Sequence, residues 1–489
     1  MINKTKREDR RVCLPVFFVA IFLAVCYDRA YQFVWGYFMR SLMKNKQFYF
    51  AFLSMTLIIA MQNLITFAVN LADNVMIGRY SQDALSGVAL VNQIQFLLQM
   101  MVMGIGNGIV VLGAQYWGKK QTEPIKKVTD IGMVLAIIVA LAATTVTFYF
   151  PKQVLSLLTD VQPVFEEGAR YLTVVCWSYL FFAITNILLF SLRSAETVWV
   201  GFGATTAALF VNIFLNYVLI YGKWGFPELG VKGAALATLA SRVIEFLLVG
   251  SYALWVDKKI RWRPKYLFAL DKHLFRDYLR VGLPLICSNT VWGIAMGVQT
   301  AILGHLGDAP IAANSIATTI FQVVTVVCYG SANASGVLIG KTVGEGNIPK
   351  VKVYTRKLQW IYLLIGLLTG LLLWSSKNWI IDLYQVTGET AKLAATFIGI
   401  LSVTVIGTSY QVACLTGIVT GGGDTRFVLI NDLIHQWLIV LPFSFLAAYV
   451  FQAPVWVTFF CLKSDQILKC FVAVIKVNRF GWIRNLTKE

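Results

Sequence analysis

Charge inside a long apolar run asks for a chemical reason, because an ionised acid at the centre of a membrane-spanning helix costs at least about 2.5–3.5 kcal/mol. Asp73 is the only acidic residue well inside the apolar run 48–77. A carboxyl group there can exchange a proton for a cation, or for a change of conformation. Asn212 and Asn216 lie four apart and so share a helix face; their amide oxygens can ligate Na⁺ or bond Asp73. Thr238 can add a hydroxyl. The plain alternative is an acid near a helix end, hydrogen-bonded for packing. A second candidate polar site, assigned to the carboxyl-terminal half, comprises Lys463, Asp465 and Lys469 together with Glu245. Asp465 and Lys469 are spaced to pair along one face, and a fixed cation among them can take the electrostatic place of a bound Na⁺. An internal ion pair, or lysines reaching toward an interface, is the bland alternative. Glu245 has Arg242 three residues before it, which suits either local pairing or the wall of a substrate cavity.

Other tempting groupings carry no chemistry. Gly104, Gly106 and Gly108 lie inside an apolar run, where small residues let helices pack closely. Gly421-Gly422-Gly423-Asp424 follows a run rather than a strand and reads as a turn. Cysteines 13, 26, 176, 287, 328, 414, 461 and 470 all lie in apolar runs, without the clustering of a zinc site or the loop positions of a disulfide frame. Histidines 273, 305 and 435 are far apart. No metal is expected, Na⁺ at Asp73 excepted, and no cofactor. No enzyme is expected either, because no Ser/His/Asp set or nucleotide loop is present.

The elements that must hold these side chains follow from composition. Of 489 residues, 58% are apolar and 13% charged, with a mean hydropathy of +0.69. An average soluble domain is about 25% charged, so charge this sparse cannot coat water-facing surfaces. The chain reads as all-α and polytopic. Twelve runs are long enough to span as helices: 48–77, 83–114, 128–150, 165–192, 198–221, 231–256, 276–305, 311–340, 354–375, 390–419, 425–450 and 454–478. The last is the weakest, interrupted by its three charges.

The +18 surplus of Lys and Arg is topology rather than a nucleic-acid footprint. With the loop after run 2 placed inside, inner loops and tail hold twenty-three basic residues and outer loops five. Both ends of the twelve-span unit are therefore expected in the cytoplasm. The expected organisation is an extension 1–47, an amino lobe 48–256 (helices 1–6), a cytoplasmic inter-lobe loop 257–280, a carboxyl lobe 276–480 (helices 7–12) and a tail 481–489. In the extension, Val12 to Tyr27 is apolar behind a basic start and has the outline of a signal peptide. Arg29, Arg40, Lys44 and Lys46 would be stranded outside if it spanned, which favours an interfacial extension over a thirteenth helix. Glu196, Arg193, Asp424 and Arg426 sit at inner helix ends, where they are expected to cap helices and hold inner loops together.

The chain also repeats. Shifted by 226, it matches itself without a gap over about sixty residues: Asn63 on Asn289, Gly78 on Gly304, Gly104 on Gly330, Asn107 on Asn333, Gly118 on Gly344 and Lys126 on Lys352. Both inner loops are basic, so the copies point the same way. Six plus six spans, as parallel repeats about an axis along the membrane normal, are a transporter signature.

The residues now reached resemble a known family. Asn70-Leu71-Ala72-Asp73-Asn74-Val75-Met76-Ile77-Gly78 is similar to the end of helix 1 in MATE (multidrug and toxic compound extrusion) transporters of the NorM/DinF type. Asn212-x-x-x-Asn216, the stretch Gly225-Phe226-Pro227-Glu228-Leu229-Gly230-Val231 through Thr238, and Gly282-Leu283-Pro284 agree, and the resemblance covers about 48–480. It implies two six-helix bundles facing a central cavity that opens alternately to either side. The implied activity is export of drugs, toxic organic cations or metabolites across the plasma membrane in exchange for H⁺ or Na⁺. Asp73, Asn212, Asn216 and Thr238 then match the amino-lobe cation site one by one. The partners implied are small, cationic, amphipathic molecules and the bilayer, not nucleic acid, with one chain as the working unit. A lipid-linked oligosaccharide or polysaccharide flippase of the wider superfamily is the alternative.

Departures from the family pattern are informative. The carboxylates that bind Na⁺ in the carboxyl lobe of NorM-type members fall on Trp292 and Ser409, so that site is expected to be absent. Asp73 falls on Gln299 in the repeat, and the helix-1 proline position is Ile58, whose mate is Pro284. A proline-dependent bend of helix 1 is therefore not expected.

Overall fold

The computed structural model describes residues 46–156, 161–264, 267, 271–384, 386 and 388–487. The extension ahead of Lys46, with its apolar stretch 12–27, lies outside the described residues. The chain divides into two units, Met1–Leu53 and Ser54–Glu489. Within the described part of the first, the Phe48 ring stacks on Phe52 at 6.5 Å and meets Tyr49 edge-on at 5.5 Å.

The described residues fold as helices in chain order: α1 (Lys46–Tyr80), α2 (Gln82–Gly118), α3 (Thr122–Tyr149), α4 (Pro151–Ser156), α5 (Gln162–Val175), α6 (Ser178–Ser194), α7 (Trp199–Ile220) and α8 (Val231–Ser251). The second half continues with α9 (Lys272–His305), α10 (Asp308–Gly344), α11 (Ile348–Tyr384), α12 (Gly388–Val412), α13 (Thr425–Leu433), α14 (Leu441–Phe445), α15 (Val455–Lys463) and α16 (Asp465–Arg479). Wide i→i+5 turns extend α8 and α12 and join α13 to α14 into one rod. Among the described residues ten helices are long and apolar enough to span, and α5 with α6, bent by 54°, makes an eleventh. The twelfth expected run differs. It is helical but breaks at Ser464, and neither α15, with 9 residues, nor α16, with 15, is long enough to span by itself. The seventh span begins earlier than its apolar run, because Asp271 caps α9 by accepting from the His273 and Leu274 amides. That takes 272–280 out of the expected loop. Lys127 of α3, 3.2 Å away, and the Leu274 amide hold the exposed Asp271 carboxyl below its usual range. α1 carries no proline, whereas Pro284 lies inside α9.

The 226-residue repeat survives in three dimensions as a pseudo-twofold relation. At one end of the molecule α2 and α10 cross so closely that a Cβ on Gly118 would strike the Lys341 carbonyl, and one on Gly344 would strike the Gln115 carbonyl. Gln115 and Lys341 are themselves 226 apart, so each side of the crossing mirrors the other. Midway along, Gly104 of α2 packs on the Ile286 backbone of α9, and its mate Gly330 of α10 packs on Ala60 of α1. Residue i meeting j while the mate of i meets the mate of j is what a twofold axis requires. Glycine is needed at these crossings because any side chain would separate the backbones.

The same end is bolted by polar contacts between the halves. Glu196 accepts from Lys341 at 2.9 Å on both oxygens, and Arg193 donates to Asn333 at 3.2 Å while lying over the Phe190 ring. Glu196 and Arg193 thus bridge rather than cap. The tail closes over them. The Gln115 side chain accepts from the Leu486 amide at 2.8 Å and donates to the Arg484 carbonyl at 3.2 Å. Asp424 pairs with Lys476 at 2.8 Å and Arg484 at 3.1 Å, and Trp482 is fully buried. Arg426 is exposed.

Candidate cation-coupling site

Three elements bring the first group of residues together. The end of α1 carries Asp73, the middle of α7 carries Asn212 and Asn216, and the start of α8 carries Thr238. Four residues make just over one helical turn, so both asparagines project from one face of α7, and both are fully buried. The Asn216 amide nitrogen donates to the Asp73 carboxylate and, at 3.1 Å, to the Asn212 side-chain oxygen. That string leaves Asn216 Oδ1, Asn212 Nδ2 and Thr238 Oγ1 buried without a protein partner. Such orphaned groups cost about 1–3 kcal/mol each unless a water or ion meets them. Asp73 and Thr238 border a cavity of about 30 Å³, which admits a water molecule or a small cation.

Glu245 belongs to this cavity. The sequence grouped it with the lysines of the twelfth run, but α8 packs beside α7 and the cavity's wall includes Glu245 and Arg242 as well as Asp73. Arg242 pairs with Glu245 at 2.9 Å, the other Glu245 oxygen accepts from Thr205 at 3.0 Å, and the guanidinium lies 5.1 Å from the Phe182 ring centre. The pair neutralises itself. Asp73, although Arg242 shares its cavity, is the acid on that wall that makes no direct ion pair among the described residues.

The remaining residues of the second candidate group split in two. Lys469, 4% exposed, pairs with Asp432 at 2.9 Å and with Asp465, four residues before it, at 3.7 Å. Ser288 of α9 donates to the other Asp432 oxygen at 2.6 Å. Lys463 joins neither acid; its ammonium donates to Gln299 at 3.2 Å. Asp432 is missing from the sequence-derived set, although an acid inside the run 425–450 meets the criterion that selects Asp73. Trp292 faces Phe96 at 6.2 Å, and Ser409 donates to the Tyr362 carbonyl at 2.8 Å. Neither position supplies a charge.

The MatE family model matches residues 59–218 and again 284–446, two stretches whose starts lie close to the repeat offset. The chain belongs to the MatE family. This MatE transporter is 26% identical to a probable multidrug resistance protein NorM of Thermotoga maritima over 435 residues, covering 88% of this chain and 92% of that one. It is 25% identical to the uncharacterized transporter YisQ of Bacillus subtilis, over 79% of this chain and 86% of the relative. Among solved structures, a Vibrio cholerae MATE transporter superposes with a TM-score of 0.81 at 16% identity, covering 89% and 97% of the two chains. A MOP superfamily transporter of Pyrococcus furiosus gives 0.80 at 20% identity, over 90% and 96%. These likenesses place the MatE chain in the two-lobe helical fold as a multi-span membrane protein.

Proposed function

We propose that this MatE chain, working as a single polypeptide in the plasma membrane with the ends of its helical unit in the cytoplasm, exports amphipathic organic compounds in exchange for H⁺ or Na⁺. The NorM relatives support multidrug efflux as the activity. The observation that carries the coupling role is the buried string Asp73–Asn216–Asn212, which ends in unpartnered polar atoms beside a cavity at Asp73 and Thr238. A proton taken up by Asp73 removes its charge. A cation held by Asp73, Asn216 and Thr238 neutralises it in place. Either event changes how the end of α1 is held against α7 and α8. Because α1 also packs against α10 across the pseudo-twofold axis, at Ala60 and Gly330, a shift of α1 is felt by the other lobe. The basic-residue asymmetry puts the Gly118/Gly344 crossing on the cytoplasmic side. The arrangement is then the state closed to the cytoplasm, and rocking of the lobes about the crossing supplies alternating access.

The test is efflux of a fluorescent cation from proteoliposomes under an imposed pH gradient or an imposed Na⁺ gradient, for wild type and Asp73→Asn. The coupling gradient drives wild-type efflux, and Asp73→Asn uncouples it. Unchanged gradient-driven efflux in Asp73→Asn refutes the assignment.

A further inference from the structure

The closed end is held by two pseudo-symmetric ties, and the second of them is built from the tail. The first is a side-chain bond between lobes: Glu196, in the turn after α6, accepts from Lys341 of α10. That turn has a left-handed residue, Glu196 at φ +57°, followed by a Thr197 amide that donates five residues back to Leu192. The same turn recurs in the carboxyl lobe, with Gly423 at φ +96° and the Asp424 amide donating five residues back to Val419. One residue off the repeat offset, Gly423 thus stands where Glu196 stands, while Gln115 of α2 stands where Lys341 stands. Glycine has no side chain with which to reach Gln115. A Cβ there would meet the Arg484 carbonyl at 3.1 Å and the Leu486 side chain at 3.0 Å, so the tail fills the place of the missing group. The Arg484 carbonyl accepts from Gln115 at 3.2 Å, as Glu196 accepts from Lys341.

The tail is anchored in one lobe and reaches into the other. Trp482 is fully buried, donates to the Val477 carbonyl of α16 at 2.9 Å and packs on Gly422, where a Cβ would strike its ring. The Arg484 amide donates to the Gly422 carbonyl at 2.8 Å, and the guanidinium pairs with Asp424. Those partners all belong to the carboxyl lobe. The next residues contact the amino lobe. Leu486 donates its amide to Gln115 at 2.8 Å and packs on the apolar core built mainly from α2, α3 and α6. Lys119 of the amino lobe donates to the Thr487 carbonyl at 3.3 Å. Separation of the lobes at this end must break the contacts to Gln115 and Lys119, while those to Gly422, Asp424 and Val477 travel with the carboxyl lobe.

We propose that residues 482–487 are a releasable strap: docked on α2 they hold the cytoplasmic side shut, and their release sets how often that side opens. The proposal rests on the lobe-rocking reading above and adds the element that regulates it. Glu196 and Lys341 lack this freedom, because both sit beside the ends of spanning helices. A strap anchored at Trp482 docks again as an intramolecular event, at high effective concentration.

The test measures the distance between spin labels at Glu123 and its repeat mate Pro349, exposed residues in the first turns of α3 and α11. Pulsed electron paramagnetic resonance is recorded on the purified full chain in nanodiscs, with the labels carried on p-acetylphenylalanine so that the native cysteines stay untouched. Wild type is compared with Leu486→Asp, whose charge is expelled from the apolar core, with Gln115→Ala, which loosens the same contact from the other lobe, and with Leu486→Met. The expected wild-type record is a dominant short distance and a minor longer one. In Leu486→Asp and Gln115→Ala the longer population rises about fivefold or more, the factor that one net hydrogen bond supplies, and in Leu486→Met it stays as in wild type. If both loosened variants keep the wild-type ratio, the strap is overturned; a lowered melting temperature with the ratio unchanged marks the tail as a staple of the fold and nothing more. If wild type gives a single distance at every pH and Na⁺ concentration, the rocking reading fails and the strap with it. No substrate or gradient enters the measurement, so an Asp73→Asn variant that stays coupled would sink the cation assignment alone.

Discussion

Lys469 offers the sharpest test of the internal electrostatics. It is buried and shared between Asp432 at 2.9 Å and Asp465 at 3.7 Å, and the two acids have side chains only 25% and 13% exposed. Lys469→Met removes one cation and leaves two enclosed carboxylates, with the Ser288 hydroxyl at 2.6 Å as the remaining partner of Asp432. Truncating one side of a buried pair costs about 3–5 kcal/mol. Asp432→Asn is milder, because Lys469 keeps Asp465 and the new amide oxygen still accepts from Ser288. The loss of one charge-assisted bond is about 1.5–3 kcal/mol. The double variant removes charge and counter-charge together, so its cost falls short of the sum, with a coupling of about 1–3 kcal/mol. The assay is a double-mutant cycle on unfolding in detergent, followed by tryptophan fluorescence. If Lys469→Met is as stable as wild type, or the two losses simply add, the lysine reaches water and the ion-pair reading is wrong.

Two further perturbations probe the closed end. Gly344→Ala drives a methyl group into the Gln115 backbone; overpacking of this kind costs about 1–3 kcal/mol. The matched change Gly297→Ala, which meets nothing within 4 Å, leaves the melting temperature unchanged or raises it. Equal effects from the two would dismiss the crossing as a constraint. Gln115→Ala removes the side-chain bonds that hold the tail at Arg484 and Leu486. At about 1 kcal/mol per bond, the undocked population should rise at least fivefold. Tryptic cleavage after Arg484, timed by mass spectrometry, should accelerate accordingly. An unchanged rate would show that Trp482, buried on its own account, anchors the tail without Gln115.

How the sequence relates to the structure is clearest in single residues. Asp73 stands out by rule, because an ionised acid inside an apolar run is costly in lipid, and Asn212 and Asn216 follow from four-residue spacing on a helix. The repeat is legible because the glycines at 104, 118, 330 and 344 sit at backbone crossings, where no other residue fits and the offset is preserved. Glu245 is different. Its pairing with Arg242 is local and can be read along α8, but its place on the wall beside Asp73 depends on how α8 rotates against α1 and α7, which spacing does not encode. Asp432 could have been marked by its charge. Its partners could not, because Ser288 and Lys469 come from helices 144 residues before it and 37 after it. Likewise, four-residue spacing in the twelfth run brings Asp465 and Lys469 together, yet the shorter contact goes to another helix.

By itself, then, the sequence determined the class of molecule, its repeated halves and the residues too costly to bury without purpose. Those follow from composition and from helical period, which act within one element at a time. The tertiary structure alone decided which polar groups share a cavity, how the tail closes one end, and that Lys463 turns to Gln299 rather than to Asp465. Each depends on the relative rotation and depth of packed helices, and one helical turn of slippage would re-pair the charges that meet across helices.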